Sequence, residues 1–270
     1  MKILITGGAG FIGSNIADAL LLKSAISELR IFDNLITGSL NNIKHLVNNP
    51  KVTFIEGDIL DRSALNRAML GINAVCHHAA LGSVPRSIED PLAAHEANST
   101  GTFNVFDIAR LNKVKRVVYA SSSSVYGDHP SLLNVEGELG QVLSPYALTK
   151  KNNEAYASLF YTQYGLETIG LRYFNIFGMR QNPQGPYAAV IPLFIKAGLE
   201  NAVPIVHGDG LQSRDFTFVA NAVHANVLAL LGANEKAFGK ALNIGCGNRY
   251  TLLELWEEIK THTKSEQNIQ

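Results

Sequence analysis

The glycine-rich stretch Thr6–Gly13 (TGGAGFIG) is the sequence feature that most constrains this chain. An apolar run, Lys2–Ile5, precedes it and predicts a buried strand. The apolar spacing of Ser14–Leu22, which follows it, predicts a helix. Its evenly spaced glycines permit a tight bend, close approach of an anion to the backbone, and close packing of the helix on the strand. The order of strand, glycine turn and helix therefore predicts a nucleotide-binding α/β unit.

The same turn predicts the kind of ligand, because the N-terminus of a helix presents free N–H groups and a partial positive charge to a pyrophosphate. Asp33 ends a second apolar run, Leu29–Asp33, twenty residues after Gly13. An acidic residue there accepts hydrogen bonds from the adenosine ribose, and its charge disfavours a 2′-phosphate. We therefore expect NAD rather than NADP as the cofactor. Glycine turns of this spacing also occur for steric reasons alone, without a ligand.

Composition excludes several other classes of protein. The 270 residues have a formal net charge of zero, so we expect neither nucleic acid nor an anionic membrane as a partner. No apolar run is long enough to span a bilayer, and no signal-peptide pattern is present. Cys76 and Cys246 lie in no metal-binding or CxxC spacing. We therefore expect no metal site and a cytoplasmic location.

Strands and helices are predicted to alternate along most of the chain. Apolar runs predict four strands beyond the first two, namely Lys51–Glu56, Ile72–His77, Lys115–Ala120 and Glu167–Tyr173. Helical spacing predicts a short helix at 39–48 and long helices at 91–111 and 146–164. Six strands that alternate with helices predict an α/β fold of the Rossmann type, with a doubly wound parallel sheet and right-handed crossovers.

Small and polar residues follow most of these strands, at the edge where such sheets bind ligands. The histidine pair His77–His78 lies at one of these strand ends. Adjacent side chains of a strand point to opposite faces, so a structural or cofactor-packing role is favoured over a metal site.

A second informative stretch is Ser144–Lys150 (SPYALTK). Pro145 suits the first turn of a helix, which would place Tyr146 and Lys150, four residues apart, on one face. An ammonium beside a phenol favours the phenolate, and the positive nicotinamide of NAD⁺ would add to this effect. We expect the pKa of Tyr146 to be lowered from about 10 towards the working pH, so that the phenolate can act as a general base. A surface Tyr–Lys pair would have the same spacing.

These motifs together resemble the extended short-chain dehydrogenase/reductases and, within them, the UDP-sugar 4-epimerases. The shared motifs are TGGAGFIG, the serine run before Val125–Gly127, Tyr146-x-x-x-Lys150 and Leu171–Asn175. Four segments are especially similar to the UDP-N-acetylglucosamine 4-epimerases of bacterial surface-polysaccharide pathways, namely 79–88, 126–130, 171–178 and 187–192. The resemblance extends from residue 2 to about residue 258.

The resemblance implies three catalytic residues, Ser122, Tyr146 and Lys150. Tyr146 would take the proton of the sugar 4-hydroxyl, and Ser122 would hydrogen-bond the same oxygen. Lys150 would hold the nicotinamide ribose and lower the pKa of the tyrosine. NAD⁺ would take the C4 hydride, the 4-keto sugar would turn over, and the hydride would return to the other face, so that no net oxidation results.

The strand ends and the resemblance together predict the other site residues. The residues expected to contact NAD are Gly7, Gly10, Phe11, Ile12, Gly13, Asp33, Asn34, Gly38, Asp58, Ile59, His78, Ala79, Ala80, Asn98, Tyr146, Lys150 and Tyr173. Those expected to contact the UDP-sugar are Gly82, Ser83, Ser122, Ser123, Ser124, Tyr146, Asn175, Ala189, Val190 and Arg214. The guanidinium of Arg214 suits a diphosphate, although an ion pair with Asp209 or Asp215 is the alternative.

Two serines favour epimerisation over related reactions. Dehydratases and decarboxylases that resemble this chain carry Glu at the position of Ser124, and dehydratases usually carry another acid at the position of Ser123. A hydroxyl cannot replace a carboxylic acid in elimination. Epimerisation needs no second acid, so the sequence fits it better.

The expected domains are an NAD-binding Rossmann domain at 1–174, with 214–245 packing back onto it, and a smaller substrate-binding lobe at 175–213 and 246–270. Proteins of the resembled family continue past residue 270, so we expect this lobe to be truncated at its C-terminus. The resemblance also implies a homodimer built on the two long helices. Two alternatives stay open, an NAD- and UDP-binding protein without turnover and another nucleotide-sugar enzyme of the same superfamily.

Overall fold

A computed structural model describes residues 1–131, 134–184, 187–206 and 208–269. The strands are β1 (Lys2–Thr6), β2 (Glu28–Asp33), β3 (Val52–Glu56), β4 (Ala74–His77), β5 (Arg116–Ser122), β6 (Glu167–Tyr173), β7 (Ile176–Phe177), β8 (Ser213–Arg214), β9 (Thr217–Phe218), β10 (Lys240–Ile244) and β11 (Tyr250–Thr251). The helices are α1 (Phe11–Leu21), α2 (Arg62–Met69), α3 (Val84–Glu89), α4 (Pro91–His95), α5 (Gly101–Leu111), α6 (Pro145–Tyr164), α7 (Val190–Leu199), α8 (Val219–Leu231) and α9 (Leu252–Thr263). None of the helices in these ranges has the length and apolar character that a membrane crossing needs.

The main sheet confirms the predicted fold class. Within the described ranges it contains seven strands in the order β10-β6-β5-β4-β1-β2-β3, and each neighbouring pair is parallel. The chain winds outwards from β1 in one direction and then from β4 in the other. The order therefore reverses between β1 and β4, which is where doubly wound sheets bind their ligands.

Continuous apolar runs form the central strands because helices cover both faces of a parallel sheet. Ile3, Leu4 and Ile5 of β1 are fully buried, as are Val117 and Val118 of β5. Complete burial of a side chain of this size contributes about 1.5–3 kcal/mol relative to leaving it exposed. The sheet is therefore a rigid support for the loops at its carboxyl edge.

Three elements differ from the sequence-based expectation. The predicted helix at 39–48 is only a 3₁₀ turn at Leu40–Asn42, where the Ser39 side chain accepts from the Asn41 N–H, a local bond that competes with helix continuation. The long helix at 91–111 contains a π-helical turn, Glu96–Thr100, between α4 and α5. A seventh strand, β10, joins the sheet beside β6.

The described chain forms two compact units, Met1–Tyr173 with Ala220–Ile244, and Phe174–Val219 with Gly245–Gln270. The first unit contains the seven-stranded sheet. We predicted that 214–245 would return to the first domain, but 214–219 belongs to the second unit. The reason is strand pairing, since β8 pairs with β11 and β9 pairs with β7.

The second unit has its own small core, which is formed by α7 and α9. Trp256 and Phe194 are buried there with their ring centroids 5.6 Å apart. Thr251 caps α9, since its side chain accepts from the Glu254 N–H while the Glu254 carboxylate accepts from the Thr251 N–H. This reciprocal capping box satisfies two N–H groups at the start of the helix.

Candidate active site

The glycine turn lies at the point where the strand order reverses. Gly7 has a φ of +70°, and a Cβ there would lie 2.5 Å from the backbone nitrogen of Ala79, which follows β4. A Cβ on Gly13 would collide with the carbonyl oxygen of Gly7. Both glycines are therefore required by shape, because the turn, the loop after β4 and helix α1 approach one another at backbone distance.

This turn fits the pyrophosphate of a dinucleotide. Gly10 is the N-cap of α1 and supplies no side-chain hydrogen bond to the helix. Phe11, Ile12 and Gly13 follow as the first residues of α1, whose N–H groups have no partner within the helix. These N–H groups and the positive end of the helix dipole suit an anion. The glycines of this turn therefore leave the space beside the start of α1 that a pyrophosphate needs.

Asp33 lies at the end of β2 with its carboxylate held by two backbone groups. Its Oδ2 accepts from the Ala9 N–H at 2.9 Å, and its Oδ1 accepts from the Leu35 N–H at 2.9 Å. Burial raises the pKa of Asp33, and the two hydrogen bonds oppose that rise. A Cβ on Gly38 would lie 2.8 Å from Oδ1. Since a carboxylate has about four acceptor positions, this one retains capacity for ribose hydroxyls.

The ends of β2 and β3 are joined by polar side chains. The Asn34 amide donates to Asp58 Oδ2 at 2.8 Å, and Asp58 Oδ1 accepts from the Leu60 N–H at 2.8 Å. Ile59 between them is buried. Asn34, Asp58 and Ile59 therefore form one ordered part of the carboxyl edge, next to Asp33.

The segment after β4 is held by a side chain from the π-helical turn. Asn98 is fully buried, and its carboxamide accepts from the Leu81 N–H at 2.7 Å and donates to the Leu81 carbonyl at 3.0 Å. The structure thus places the predicted NAD contact Asn98 as a clamp on the loop that contains Ala79 and Ala80. Gly82 and Ser83 follow in the same loop, and Ser83 begins α3 with a φ of +103°.

Tyr146, Lys150 and Ser122 are brought together by α6 and the end of β5. Ser144 caps α6 by accepting from the Ala147 N–H at 3.1 Å. Lys150 Nζ donates to the Ala120 carbonyl at 2.9 Å and lies 5.7 Å from the centroid of the Tyr146 ring. Tyr146 shares a hydrogen bond with Ser122. Phenol, ammonium and hydroxyl therefore occupy one small region above the sheet.

The neighbouring serines orient Ser122. The backbone N–H and the hydroxyl of Ser124 both donate to Ser122 Oγ, at 3.2 and 3.0 Å. Ser123 and Ser124 begin a 3₁₀ turn that ends at Tyr126. Ser122, Ser123 and Ser124 therefore provide hydroxyl groups and no carboxylic acid to this part of the site.

The electrostatics of this region correct one sequence-based expectation. Burial raises the pKa of the Tyr146 phenol, and the hydrogen bond with Ser122 only opposes that rise. Burial lowers the pKa of Lys150 to about 8, against the opposing charge of Glu154. The expected lowering of the tyrosine pKa by its neighbour was wrong for the ligand-free chain. The reason is desolvation, which disfavours the charged form of both groups.

Ser87 is a site residue that the sequence did not reveal. It is fully buried in α3, and its Oγ accepts from the Tyr146 N–H at 3.0 Å and donates to the Val84 carbonyl at 2.8 Å. The contact joins residues 59 positions apart, so no local spacing predicts it. Ser87 therefore fixes the start of α6, where Tyr146 lies.

Glu154 supports the same helix one turn beyond Lys150. It accepts from Ser121 Oγ at 2.6 Å and forms a two-point ion pair with Arg172 of β6, at 2.9 and 2.8 Å. The spacing of Lys150 and Glu154, four residues apart on a helix, is a signal that could have indicated this residue. The pair anchors α6 on β5 and β6.

The second unit contains four predicted substrate contacts, Asn175, Ala189, Val190 and Arg214. Asn175 has a φ of +39°, and its side-chain amide donates to the Asp215 carbonyl at 2.9 Å. Ala189 and Val190 are the N-cap and first residue of α7. Arg214 is exposed in β8. The Asp215 carboxylate accepts from the N–H groups of Cys246 and Gly247, at 3.1 and 2.8 Å.

Comparison with known proteins places this fold and site in a family. Residues 3–245 match the NAD dependent epimerase/dehydratase family, and the chain belongs to it. It is therefore an NAD-dependent enzyme of the extended short-chain dehydrogenase/reductase fold, in the class of UDP-sugar epimerases and dehydratases. The expected kinship and the cofactor are confirmed.

Individual relatives carry more than one activity. A protein of Methanocaldococcus jannaschii with a provisional assignment as a UDP-glucose 4-epimerase is 41% identical over 261 residues, which cover 96% of this chain and 81% of that protein. A UDP-N-acetyl-alpha-D-glucosaminuronate decarboxylase of Bacillus cytotoxicus is 35% identical over 273 residues, which cover 99% and 82%. The structure of UDP-N-acetylglucosamine 4-epimerase from Methanobrevibacter ruminantium M1, in complex with UDP-N-acetylmuramic acid, has a TM-score of 0.90 at 37% identity and covers 100% of this chain and 85% of that chain.

Proposed function

We propose that this chain is an NAD-dependent 4-epimerase that interconverts UDP-GlcNAc and UDP-GalNAc, in the supply of precursors for a surface polysaccharide. The observation that carries the proposal is the cluster of Ser122, Tyr146 and Lys150, which stands beside hydroxyl groups and not carboxyl groups at Ser123 and Ser124. The Methanobrevibacter ruminantium neighbour, a UDP-N-acetylglucosamine 4-epimerase, supports the choice of sugar.

NAD⁺, which the first turn of α1, Asp33 and Lys150 would hold, would supply a reversible hydride acceptor for C4. The Tyr146 phenolate takes the proton of the 4-hydroxyl as the ketone forms, and it returns the proton when the hydride is restored. Ser122 would donate its one hydrogen to the same oxygen. The proton and the hydride both return to the sugar, so the reaction has no net oxidation.

The resting tyrosine is protonated, so activation must come with ligand binding. Lys150 supplies one positive charge 5.7 Å from the phenol ring, and its buried ammonium is weakly screened. The cationic nicotinamide adds a second positive charge that the ligand-free protein does not have. We propose that the pKa of Tyr146 falls when cofactor and sugar nucleotide are both bound.

Serine in place of a carboxylic acid at positions 123 and 124 separates the proposed reaction from dehydration. Elimination of water from the sugar needs a group that donates a proton to the leaving hydroxyl. A serine hydroxyl does not ionise in the working pH range and cannot serve as that acid. Ser124 instead donates to Ser122, and so supports the group that faces the 4-oxygen in the proposed reaction.

The cofactor and nucleotide contacts form part of the same proposal. The first turn of α1 would bind the pyrophosphate, Asp33 would bind the adenosine ribose, and Lys150 would bind the nicotinamide ribose. In the second unit Arg214 would bind the diphosphate of the UDP-sugar, because its guanidinium is exposed and suits a phosphate fork. A cytoplasmic location completes the proposal.

A homodimer is proposed from one apolar face. Phe103 on α5 and Leu148, Tyr156 and Leu159 on α6 have exposed fractions of 36, 47, 39 and 48%. The Phe103 and Tyr156 rings form an edge contact with centroids 5.2 Å apart. Exposed aliphatic and aromatic groups on two adjacent helices favour a self-complementary helical interface. Sedimentation equilibrium of the wild type and Leu159→Glu tests this, with a dimer that dissociates in the variant as the expected result.

The activity is tested by incubating the purified chain with UDP-GlcNAc and following the anomeric proton signals by NMR. Appearance of UDP-GalNAc, without NADH release at 340 nm, is the expected result. Retention of NAD and UDP without any UDP-GalNAc would instead indicate a binding protein without turnover. A 4,6-dehydrated or decarboxylated product would indicate one of the related activities.

A further inference from the structure

Four side chains of the first unit form a closed ring of hydrogen bonds behind the cofactor edge. Its members are Cys76 of β4, His78 just after β4, Tyr173 at the end of β6, and Asn226 of α8. His78 Nε2 and the Tyr173 hydroxyl are 2.8 Å apart, and Asn226 Nδ2 donates to the same hydroxyl at 2.6 Å. Cys76 Sγ lies 3.5 Å from both His78 Nδ1 and Asn226 Oδ1.

The hydrogen positions in this ring follow from Asn226. Its Nδ2 carries two hydrogens, one directed to the Ala222 carbonyl at 2.7 Å and one to the Tyr173 oxygen. Because the Tyr173 oxygen accepts there, its own hydrogen is available for His78 Nε2. A nitrogen that accepts has no hydrogen, so the neutral imidazole carries its hydrogen on Nδ1, which faces Cys76. The Cys76 S–H then points to Asn226 Oδ1 and completes the ring.

Charge in the surroundings favours the same state. The titratable groups that interact with His78 are Cys76 and the neutral His77 of β4, Tyr173 of β6, and the ammonium of Lys150 of α6. None of them is an anion, and Lys150 opposes a second cation. Burial and Lys150 lower the pKa of His78 to about 3. Asn226 and Cys76 are fully buried, so the ring cannot exchange its partners for bulk water.

We propose that Asn226 is a positioning residue that acts through the Tyr173 hydroxyl to fix His78 in its neutral Nδ1–H tautomer. The imidazole, which stacks on Tyr173 with centroids 5.9 Å apart, is then held in one orientation and adds no charge beside Lys150. A cationic His78 would disfavour the positively charged oxidised cofactor relative to the neutral reduced one. This consequence for hydride transfer rests on the proposed function, whereas the tautomer itself does not.

The test is the ¹⁵N NMR spectrum of the histidine side chains in the purified protein at neutral pH, with His78→Gln used to assign the signal. We expect a protonated Nδ1 and an unprotonated Nε2 for His78. Asn226→Asp keeps the shape of the side chain but replaces the donor by an acceptor, which would take the Tyr173 hydrogen. His78 should then switch to the Nε2–H tautomer. Asn221→Asp, an exposed position on the same helix, is the control and should leave the signal unchanged.

An Nε2–H or doubly protonated His78 in the wild type would overturn the proposal, even if Asn226→Asp did not fold. An unchanged His78 signal in a folded Asn226→Asp protein would also overturn it. Tyr173→Phe gives the kinetic counterpart, an expected loss in kcat of about tenfold with KM changed less than about twofold. If the wild type has no epimerase activity, the proposed function fails, while the NMR result still decides the tautomer.

Discussion

The glycine turn after β1 and the face of α6 are both predicted from short motifs, but they are held in different ways. At the turn, Gly7 and Gly13 meet backbone atoms directly, so shape alone fixes the residue type. On α6, Tyr146 depends on its hydrogen bond with Ser122, Lys150 depends on the hydrogen bond that it donates to the Ala120 carbonyl, and both depend on their burial. Steric contacts therefore determine the residue types of the turn, whereas electrostatic interactions determine the properties of the residues on the helix face.

The difference explains why one motif predicted its environment better than the other. A glycine spacing specifies close backbone contacts, here between the turn, the start of α1 and the loop after β4. A Tyr–Lys spacing specifies only that two side chains share a helix face. The direction of each pKa shift depends on the protein atoms around that face. Desolvation outweighs the Ser122 hydrogen bond for Tyr146 and the Glu154 charge for Lys150.

The largest expected effect is on the helix face. Tyr146→Phe removes the proton acceptor, and we expect kcat to fall by about 10³-fold, within the range of general base catalysis. Retention of bound NAD should not change, because the turn is untouched. The measurement is the rate of UDP-GalNAc formation beside cofactor content by absorbance. Tyr164→Phe, which changes an exposed phenol at the end of the same helix, is the control and should keep wild-type activity. Equal activity of the two variants would contradict the role of Tyr146 as the proton acceptor on this helix face.

The second largest effect is expected at the glycine turn, where it tests the close backbone contact of Gly7. Gly7→Ala places a Cβ 2.5 Å from the Ala79 nitrogen at a φ of +70°, so we expect loss of bound NAD and a decrease of about 2 kcal/mol or more in the free energy of unfolding. Gly71→Ala is a matched control, because Gly71 has a φ of +71° with nothing within 4 Å of a Cβ. That control should lose only about 1 kcal/mol and keep its cofactor. Similar losses in both variants would show that backbone strain, and not close approach, governs the turn.

Stability against pH tests the buried ammonium. The pKa of Lys150 in the folded chain is about 8, below its ordinary value of 10.5. Between these two pH values the unfolded chain therefore binds more protons than the folded chain. The free energy of unfolding should therefore rise with pH through this window, by about 2 kcal/mol between about pH 7.5 and 9.5. Urea unfolding of the wild type and Lys150→Met, both without ligand, measures this difference. A wild type that gains no stability relative to the variant would place Lys150 in contact with solvent.

The smallest expected effect concerns Ser87. Ser87→Ala removes the acceptor for the Tyr146 N–H, a buried contact worth about 1 kcal/mol. We expect kcat to fall about tenfold while KM for UDP-GlcNAc changes little, because Tyr146 would be less well placed. Steady-state kinetics measures this, and Ser87→Thr should restore part of kcat. A change in KM alone would assign Ser87 to substrate binding instead.

The parallel direction of the main-sheet strands and the doubly wound sheet could be predicted because the strands, such as β1 and β6, alternate with helices along the chain. The strand β10 was missed because its five residues lie at a sheet edge and are only half-buried after an exposed first residue, so its apolar signal is weak. The segment 39–48 was predicted as a helix from its apolar spacing. It forms only a 3₁₀ turn at Leu40–Asn42, because a local hydrogen bond of Ser39 outweighs that spacing.

Within the site, motif positions could be predicted but not their partners. Ser87 reaches Tyr146 from another helix, and Asn226 reaches His78 through Tyr173, and neither contact has a local pattern. The direction of the Tyr146 pKa was wrong because burial is a property of the folded chain. The predicted Gly7, Asp33 and Lys150 lie at the carboxyl edge, and their ligand contacts stay predictions.

The most direct test of the central claim uses UDP-GlcNAc that carries deuterium at C4, incubated with the purified chain in ordinary water. If the hydride leaves C4 and returns within one active site, the UDP-GalNAc formed keeps deuterium at C4 and no NADH is released. Loss of the deuterium to solvent, or no UDP-GalNAc from protein that holds NAD, would contradict the proposed epimerisation.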